Sequence, residues 1–127
     1  MPNITIDPKA SFDAGSGQRA RTLTRILAED VAAGQPCEVN ALGQIRKFTV
    51  GPLAGVAVTS GFSGNAHTIY GLGIKFMPAK TLVPGNIYFA ATGGNISDAA
   101  VAGQDIQGAF LALDFDVMEV IKLGKLF

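Results

Sequence analysis

Short runs of apolar residues, separated by turn-forming residues, fill most of this chain, and their clearest succession lies between Leu53 and Leu113. Each run is about four to eight residues long and ends at Gly, Pro, Asn or Ser, which is typical of strands joined by tight turns. The pattern therefore predicts an all-β fold, a small antiparallel β-sandwich or barrel (jelly-roll-like) with an extended N-terminal arm.

The first part of the chain has a different pattern and predicts a boundary between an extended arm, residues 1–20, and a β domain, residues 21–127. Pro2 and Pro8 disfavour a helix, and the apolar residues in this part are scattered. Ile4 and Ile6 can still form one short strand edge. We expect the arm to be mobile in the isolated protein and ordered against a partner. The alternative is a disordered end without a role.

Alternating β-branched residues predict a first strand at residues 21–26, and a hairpin follows with its turn at Gly43. Residues 28–35 are compatible with one helical turn or with a loop. The run of small apolar residues from Leu53 to Thr59 predicts a strand that is buried on both faces.

Three further features are predicted in the second half of the chain. One long strand runs from His67 to Ile74, where Gly71 and Gly73 allow a sharp bend. A tight turn lies at residues 84–86. A last strand covers residues 111–117, and a slip of the apolar phase after it predicts a β-bulge at residues 117–118. The predicted core comprises Phe48, Val56, Ile69, Ile74, Phe89, Leu111, Leu113 and Phe115.

Composition indicates either a very compact protein or a surface that is partly covered by partners, and the many glycines, which signal turns, favour the second. The 127 residues are 48% hydrophobic and only 16% charged, whereas charged residues make up about a quarter of an average soluble domain. The net charge of zero gives no overall attraction to nucleic acid or to an anionic membrane. Between Val39 and Ser97 there is no acidic residue. That stretch forms either a weakly basic face kept soluble by its lysines or a docking face for an acidic protein surface.

The single cysteine, Cys37, excludes an intrachain disulfide and is expected to be a buried structural thiol. We expect no secretory signal at the N-terminus and no membrane-spanning segment. The sequons at Asn3 and Asn95 are therefore interpreted as chance matches.

Candidate chemistry is sparse, and we predict neither an enzyme nor a metal or cofactor site. His67 and Cys37 lie far apart in sequence, without metal-ligand spacing. His67 is interpreted as a packed or solvent-facing strand residue rather than a catalytic base. Asp114 and Asp116 share one strand face, where a polar outer surface is a simpler interpretation than a cation or glycosidase site. Arg19, Arg21 and Arg25 form a basic cluster without the interleaved aromatic residues that nucleic-acid stacking uses.

Four segments between Ala28 and Val120 resemble a known motif order: AEDVAAGQPCEVNALGQIRKF, LAGVAVTSGFSGNAHTIYGLG, LVPGNIYFAATGGNIS and IQGAFLALDFDVMEV. Their arrangement of glycines and apolar positions is similar to that of the capsid cement, or head decoration, proteins of tailed phages. The third segment, with its L-x-P-G-x-x-Y pattern, is the most specific. The long N-terminal arm and the arginine cluster depart from the commonest pattern.

The resemblance implies a structural virion protein that is made in the cytoplasm of the bacterial host. It would self-associate as a homodimer or homotrimer and clamp neighbouring major-capsid subunits on the outer surface of the expanded shell. Predicted capsid contacts are Arg19, Arg21 and Arg25, facing acidic groups, and the apolar Leu126 and Phe127. A phage fibre or receptor-binding knob is the alternative, and the sequence also leaves a small-molecule-binding barrel open.

Overall fold

The computed structural model describes residues 3–6, 11–12, 22–100 and 102–126, with the backbone alone for residues 11–12. Within these ranges the chain forms eleven strands and no helix. The strands are β1 Ser11–Phe12, β2 Thr22–Ile26, β3 Pro36–Val39, β4 Ile45–Lys47, β5 Leu53–Val56, β6 Ala66–Tyr70, β7 Lys75–Met77, β8 Ile87–Ala91, β9 Asn95–Ser97, β10 Phe110–Ala112 and β11 Met118–Val120.

The strands form two antiparallel sheets, which confirms the predicted fold class. The six-stranded sheet has the order β1-β7-β11-β10-β8-β9, and the five-stranded sheet has the order β2-β6-β5-β3-β4. A parallel bridge between Leu27 and Ile45 joins the two ends of the five-stranded sheet. The Ala28 amide donates to the Ile45 carbonyl at 2.8 Å in the same place. The five-stranded sheet is therefore curled toward a barrel.

The main core lies between the two sheets. Phe76 and Phe110 of the six-stranded sheet meet edge to face, with ring centroids 5.8 Å apart, and they share a buried cluster with Leu53 and Val56 of the other sheet. A smaller cluster, which includes Leu27, Cys37, Ile45 and Ile69, fills the inside of the curl. Residues 53–58 supply side chains to both clusters, which explains their almost uniformly apolar sequence.

The long strand predicted from His67 to Ile74 is in fact two strands in different sheets. β6 ends at Tyr70 in the five-stranded sheet, and β7 begins at Lys75 in the six-stranded sheet. Gly73 lies between them with φ of +87°, which is a conformation that favours glycine. The glycines thus mark a crossing from one sheet to the other. Residues 28–35 contain no helical turn and form a loop.

The predicted core is half right. Phe48, Val56, Ile69 and Ile74 are buried. Phe89 and Leu111 are only half-buried, and the chain bends at residues 113–116 instead of continuing the strand. Because β10 directs Phe110 and Ala112 into the core, the intervening Leu111 faces outward. No register shift falls at residues 117–118; the shift lies between Cys37 and Glu38, where β3 pairs with β5.

The described parts of the N-terminal arm lie against both edges of the six-stranded sheet. Asn3 bridges Ser97 of β9, and the Ile4 amide donates to the Ile96 carbonyl at 2.9 Å. Ile4 and Ile6 pack on the main core, while β1 pairs with β7 at the opposite edge. These residues thus extend the six-stranded sheet at both of its edges, and the mobility of the arm in the isolated protein stays a prediction.

Candidate interaction surface

The outer face of the six-stranded sheet is largely apolar. Strand pairing places Lys75, Glu119, Leu111 and Ile87 side by side across β7, β11, β10 and β8. Phe89 lies two residues from Ile87 in β8, so the two side chains share this face. We call this surface the apolar face and define it by Ile87, Phe89 and Leu111; Leu113 follows it in the bend after β10.

The apolar face reaches solvent at Ile87, which is 38% exposed. In the bend after β10, Leu113 and Phe115 are 43% and 54% exposed. Hydrogen bonds tie this bend to the segment before β8, because the Leu82 amide donates to the Phe115 carbonyl at 2.8 Å and the Val83 amide donates to the Tyr88 hydroxyl at 3.0 Å. An apolar cluster on so small a domain is typical of an interaction site.

A close backbone approach holds the apolar face in place. A Cβ atom added to Gly108 would overlap the Ile87 side chain and lie 3.5 Å from the Phe89 ring. Gly108 also has φ of +87°. Glycine at this position therefore lets Ile87 lie directly over the backbone of the loop that precedes β10.

The same loop is organised by a fully buried carboxylate. Asp105 accepts hydrogen bonds from four backbone amides, those of Ala90, Gln107, Gly108 and Ala109, at 2.8–2.9 Å. The bond to Ala90 ties the loop to β8. Asp105 is thus a positioning residue for Gly108 and, through it, for the apolar face.

A second buried carboxylate, Glu38, organises the β4–β5 turn. It accepts hydrogen bonds from the Thr49 amide at 2.7 Å, the Gly51 amide at 3.2 Å and the Arg46 guanidinium at 2.7 Å. Its side chain is 2% exposed. Burial by itself raises the pKa of Glu38, but the hydrogen bonds from Thr49, Arg46 and Gly51 outweigh it and hold this pKa below the ordinary value of 4.5.

This lowered pKa predicts a loss of stability on the acid side. A carboxyl group whose pKa is lower in the folded state stabilises the fold above its unfolded-state pKa, and this contribution disappears as the pH falls through the folded-state value. We expect Glu38→Gln to destabilise the protein most near about pH 7, and the difference from wild type to shrink below about pH 4. Urea denaturation at several pH values measures this difference. A destabilisation that stays constant across the range would contradict the assignment.

The acid-free stretch between Val39 and Ser97 does not form a basic face. Arg46 pairs with Glu38 at 2.7 Å, and Lys47 pairs with Glu29 at 3.6 Å. Lys75 lies opposite Glu119 in the strand register. Acidic residues from outside the stretch therefore neutralise most of its cations.

Arg25 is the one predicted capsid-contact residue that the structure places on the surface. It lies on β2, opposite His67 of β6, and its guanidinium donates to the Thr24 carbonyl at 2.8 Å. No acid in the described part of the chain forms an ion pair with it. Arg19, Arg21 and Phe127 lie outside the described residues. Leu126 is 2% exposed and belongs to the main core, so its side chain has no surface to offer a partner.

A shallow groove lies along β2 and β6. Its volume is about 260 Å³, and its lining includes Thr24, Thr68, Tyr70 and Val58. The hydroxyl groups of Thr24 and Thr68 lie 2.7 Å apart and form a hydrogen bond. The groove thus offers hydroxyl groups beside β2, the edge strand of the five-stranded sheet.

The side chains that could take part in chemistry have structural roles in this fold. Cys37 is buried, and burial raises the pKa of its thiol to about 12. His67 Nε2 lies 3.0 Å from the Thr59 carbonyl oxygen, and the imidazole ring packs against Gly61. Asp114 lies in the bend after β10, where its carboxylate accepts from the Phe115 amide at 2.7 Å.

Across the described ranges, no three His, Cys, Asp or Glu residues cluster in a way that could hold a metal ion. None of the described residues belongs to a helix that is long and apolar enough to span a membrane. Neither a family model, nor a curated protein, nor a solved structure matches this chain.

Sequence reasoning missed the apolar face and both buried carboxylates. The sequence identifies the apolar residues of β8 and β10. When both faces of a strand carry apolar residues, however, the alternation does not show which face is directed into the core. Asp105 had a detectable signal, because an acidic residue that precedes Gly108 by three positions can accept from the amides of a turn. Its hydrogen bond from the Ala90 amide could not be predicted, because it depends on how β8 and the loop before β10 pack together.

Proposed function

We propose that this protein is a structural virion protein that decorates and stabilises the outside of an expanded icosahedral phage capsid by clamping neighbouring major-capsid subunits. The observation that supports the proposal is that exposed groups suited to contact a partner lie on both sheets. The apolar face lies on the six-stranded sheet, and Arg25 lies on the outer strand of the five-stranded sheet. A clamp has to touch more than one neighbour, and this domain presents two different surfaces.

The motif order from Ala28 to Val120 supports the same role, since it resembles that of phage cement proteins. The rigid all-β body also suits it, because such a protein acts by binding one state of the shell in preference to another. A protein that binds the expanded lattice and not the unexpanded one stabilises the expanded form by mass action. Particles depleted of the protein should therefore lose heat resistance and regain it when the protein is added back.

Replacing Arg25 tests the polar half of the proposed contact. We expect Arg25→Glu to weaken binding to depleted, expanded particles about tenfold, because it reverses a charge that faces acidic groups on the shell. Lys80→Glu is the matched control, since Lys80 is exposed and makes the same charge change elsewhere. Cosedimentation of each variant with the particles gives the affinities. Equal binding by the two variants would exclude Arg25 from the contact.

The groove along β2 and β6 favours a second candidate function, a fibre or receptor-binding knob. Its paired threonine hydroxyls and Tyr70 are groups that a polar receptor could contact. Under this alternative the protein would bind the surface of the host cell instead of the shell. Binding of labelled protein to host cells, abolished by Thr68→Val with shell binding absent, would favour the knob.

A further inference from the structure

The outer edge of β2 is open over its first half. All residues of this strand are exposed except Leu23, which is half-buried. Two other sheet edges are covered: in β4 the Lys47 amide donates to the Glu29 carboxylate at 3.1 Å. In β9 the Ile96 carbonyl accepts from the Ile4 amide at 2.9 Å. We propose that β2 takes up an extended, acidic segment of a partner protein, which adds to the five-stranded sheet as an antiparallel strand.

Hydrogen bonds at the end of β2 show which way its backbone groups point. The Leu27 amide donates to the Asn65 carbonyl at 2.9 Å, on the side of β6. The Ala28 amide donates to the Ile45 carbonyl at 2.8 Å, on the opposite side. Because this direction alternates along an antiparallel strand, the amide and carbonyl of Thr24 point to the same side as the Ala28 amide, away from β6.

Two contacts of Thr24 agree with this direction. Its hydroxyl lies 2.7 Å from the Thr68 hydroxyl, a close approach that is typical of cross-strand pairs without backbone hydrogen bonds between them. Its carbonyl accepts from the Arg25 guanidinium at 2.8 Å. Among the described strands only β6 pairs with β2, so the outward backbone groups of Thr22 and Thr24 are available to an added strand.

The charge at this edge favours an acidic segment. Arg25 is exposed, and no acid in the described ranges pairs with it. Its guanidinium lies on the Thr24 carbonyl, so in the free protein it guards the edge against unselective strand pairing. A Glu or Asp directly opposite Arg25 would lie in the closer kind of cross-strand pair and would draw the guanidinium away from that carbonyl. The added strand should therefore carry acidic residues at alternate positions.

The groove along β2 and β6 lies on the other face of the added strand. Thr24 and Arg25 are adjacent in β2, so their side chains point to opposite faces of the sheet. The groove has a volume of about 260 Å³, and its lining includes Thr24, Thr68, Tyr70 and Val58. Its mixture of hydroxyl and apolar groups suits β-branched side chains, which also favour extended backbone. A segment that alternates acidic and β-branched residues therefore fits both faces of this edge.

Binding of synthetic peptides to the free protein tests the inference. We expect a fluorescently labelled peptide of alternating Val and Glu to bind and to slow hydrogen exchange of the Thr22 and Thr24 amides. N-methylation of its Val residues, which lie opposite Thr22 and Thr24, should weaken binding about tenfold or more, because it removes the donors that face β2. N-methylation of its Glu residues is the matched control and should have little effect. A peptide of alternating Val and Lys should bind at least about fivefold more weakly, because it places like charges opposite Arg25.

Replacement of Thr24 tests the same edge from the side of the protein. Thr24→Pro removes the outward amide and leaves the hydrogen bonds to β6 in place, as proline does in edge strands. We expect it to weaken binding of the Val–Glu peptide about tenfold or more. Thr24→Val keeps the amide and is the matched control, which should bind within about threefold of the wild type. Circular dichroism shows whether both variants keep the β fold.

Failure to bind the Val–Glu peptide would overturn the inference, as would equal weakening by the two N-methylated peptides or a larger effect of the Glu-methylated one. These peptides need no change in the protein, so they decide the question even where Thr24→Pro does not fold. The inference rests on the proposed function only for the identity of the partner, which would be a major-capsid subunit. Shell binding by a protein that takes up no peptide would leave the decoration role standing. Peptide binding without shell binding would leave strand addition standing and remove that role.

Discussion

Phe110→Ala should remove about 3–5 kcal/mol from the free energy of unfolding. The Phe110 side chain is fully buried between the sheets, in edge-to-face contact with Phe76. Truncation leaves a cavity that the flanking strands cannot close, because β10 is paired with β8 on one side and β11 on the other. A domain of this size has a total stability of roughly 5–15 kcal/mol, so this loss is a large fraction of the total and should lower the melting temperature markedly.

Phe62→Ala is the matched control for this effect. Phe62 is 70% exposed in the loop before β6, and its truncation should change the stability by no more than about 0.5 kcal/mol. Urea denaturation of both variants gives the comparison. Similar losses at the two positions would mean that Phe110 is not at the centre of the core.

Asp105→Ala should be comparably damaging, at roughly 3–5 kcal/mol. The substitution leaves the amides of Ala90, Gln107, Gly108 and Ala109 without their acceptor in a buried loop. Each buried donor that loses its partner costs about 1–3 kcal/mol, and entry of water recovers part of the sum. Asp105→Asn should also destabilise, because its amide group places a donor where the loop needs an acceptor.

Asp98→Ala separates this effect from simple loss of a negative charge, because Asp98 is exposed. We expect that variant to match the wild type in thermal denaturation. Hydrogen exchange of the Gly108 and Ala109 amides adds a local measurement, since both should exchange much faster in Asp105→Asn. Unchanged protection of these amides would show that Asp105 does not organise the loop.

The turns and most strands of this fold could be predicted from sequence because their causes are local. Gly43 and Gly85 adopt positive φ in the predicted turns, at +77° and +88°. β2 and β3 fall where β-branched and apolar residues predict them. These features depend on the backbone preferences of a few adjacent residues, and these preferences can be inferred from the residue types alone.

The facing of β8 and β10 could not be predicted, because both sides of each strand carry apolar residues. A one-residue change of phase moves every side chain of a strand to the other side of the sheet. Tyr88 and Phe110 take the inner positions, and the larger number of apolar residues in the alternate phase, among them Leu111 and Leu113, misled the assignment. Those residues lie on the outer side of the sheet, so the wrong core assignment and the apolar face have one cause.

Of the predicted contact residues that the structure describes, one lies on the surface and one is buried. Arg25 was predicted from a local cluster of arginines, and the structure places it on an exposed strand. Leu126 was predicted from its position near the end of the chain, whereas its carbonyl accepts from the Ile106 amide at 3.0 Å and its side chain enters the core. Position in the sequence does not determine burial when distant segments pack on each other.

Binding of the purified protein to expanded, depleted capsids and to unexpanded procapsids tests the central claim most directly. The proposal predicts saturable binding to the expanded shells and little or none to the procapsids, since only the expanded lattice brings the clamped subunits to the right spacing. Equal binding to both kinds of particle, or binding to neither, would contradict the proposed decoration role.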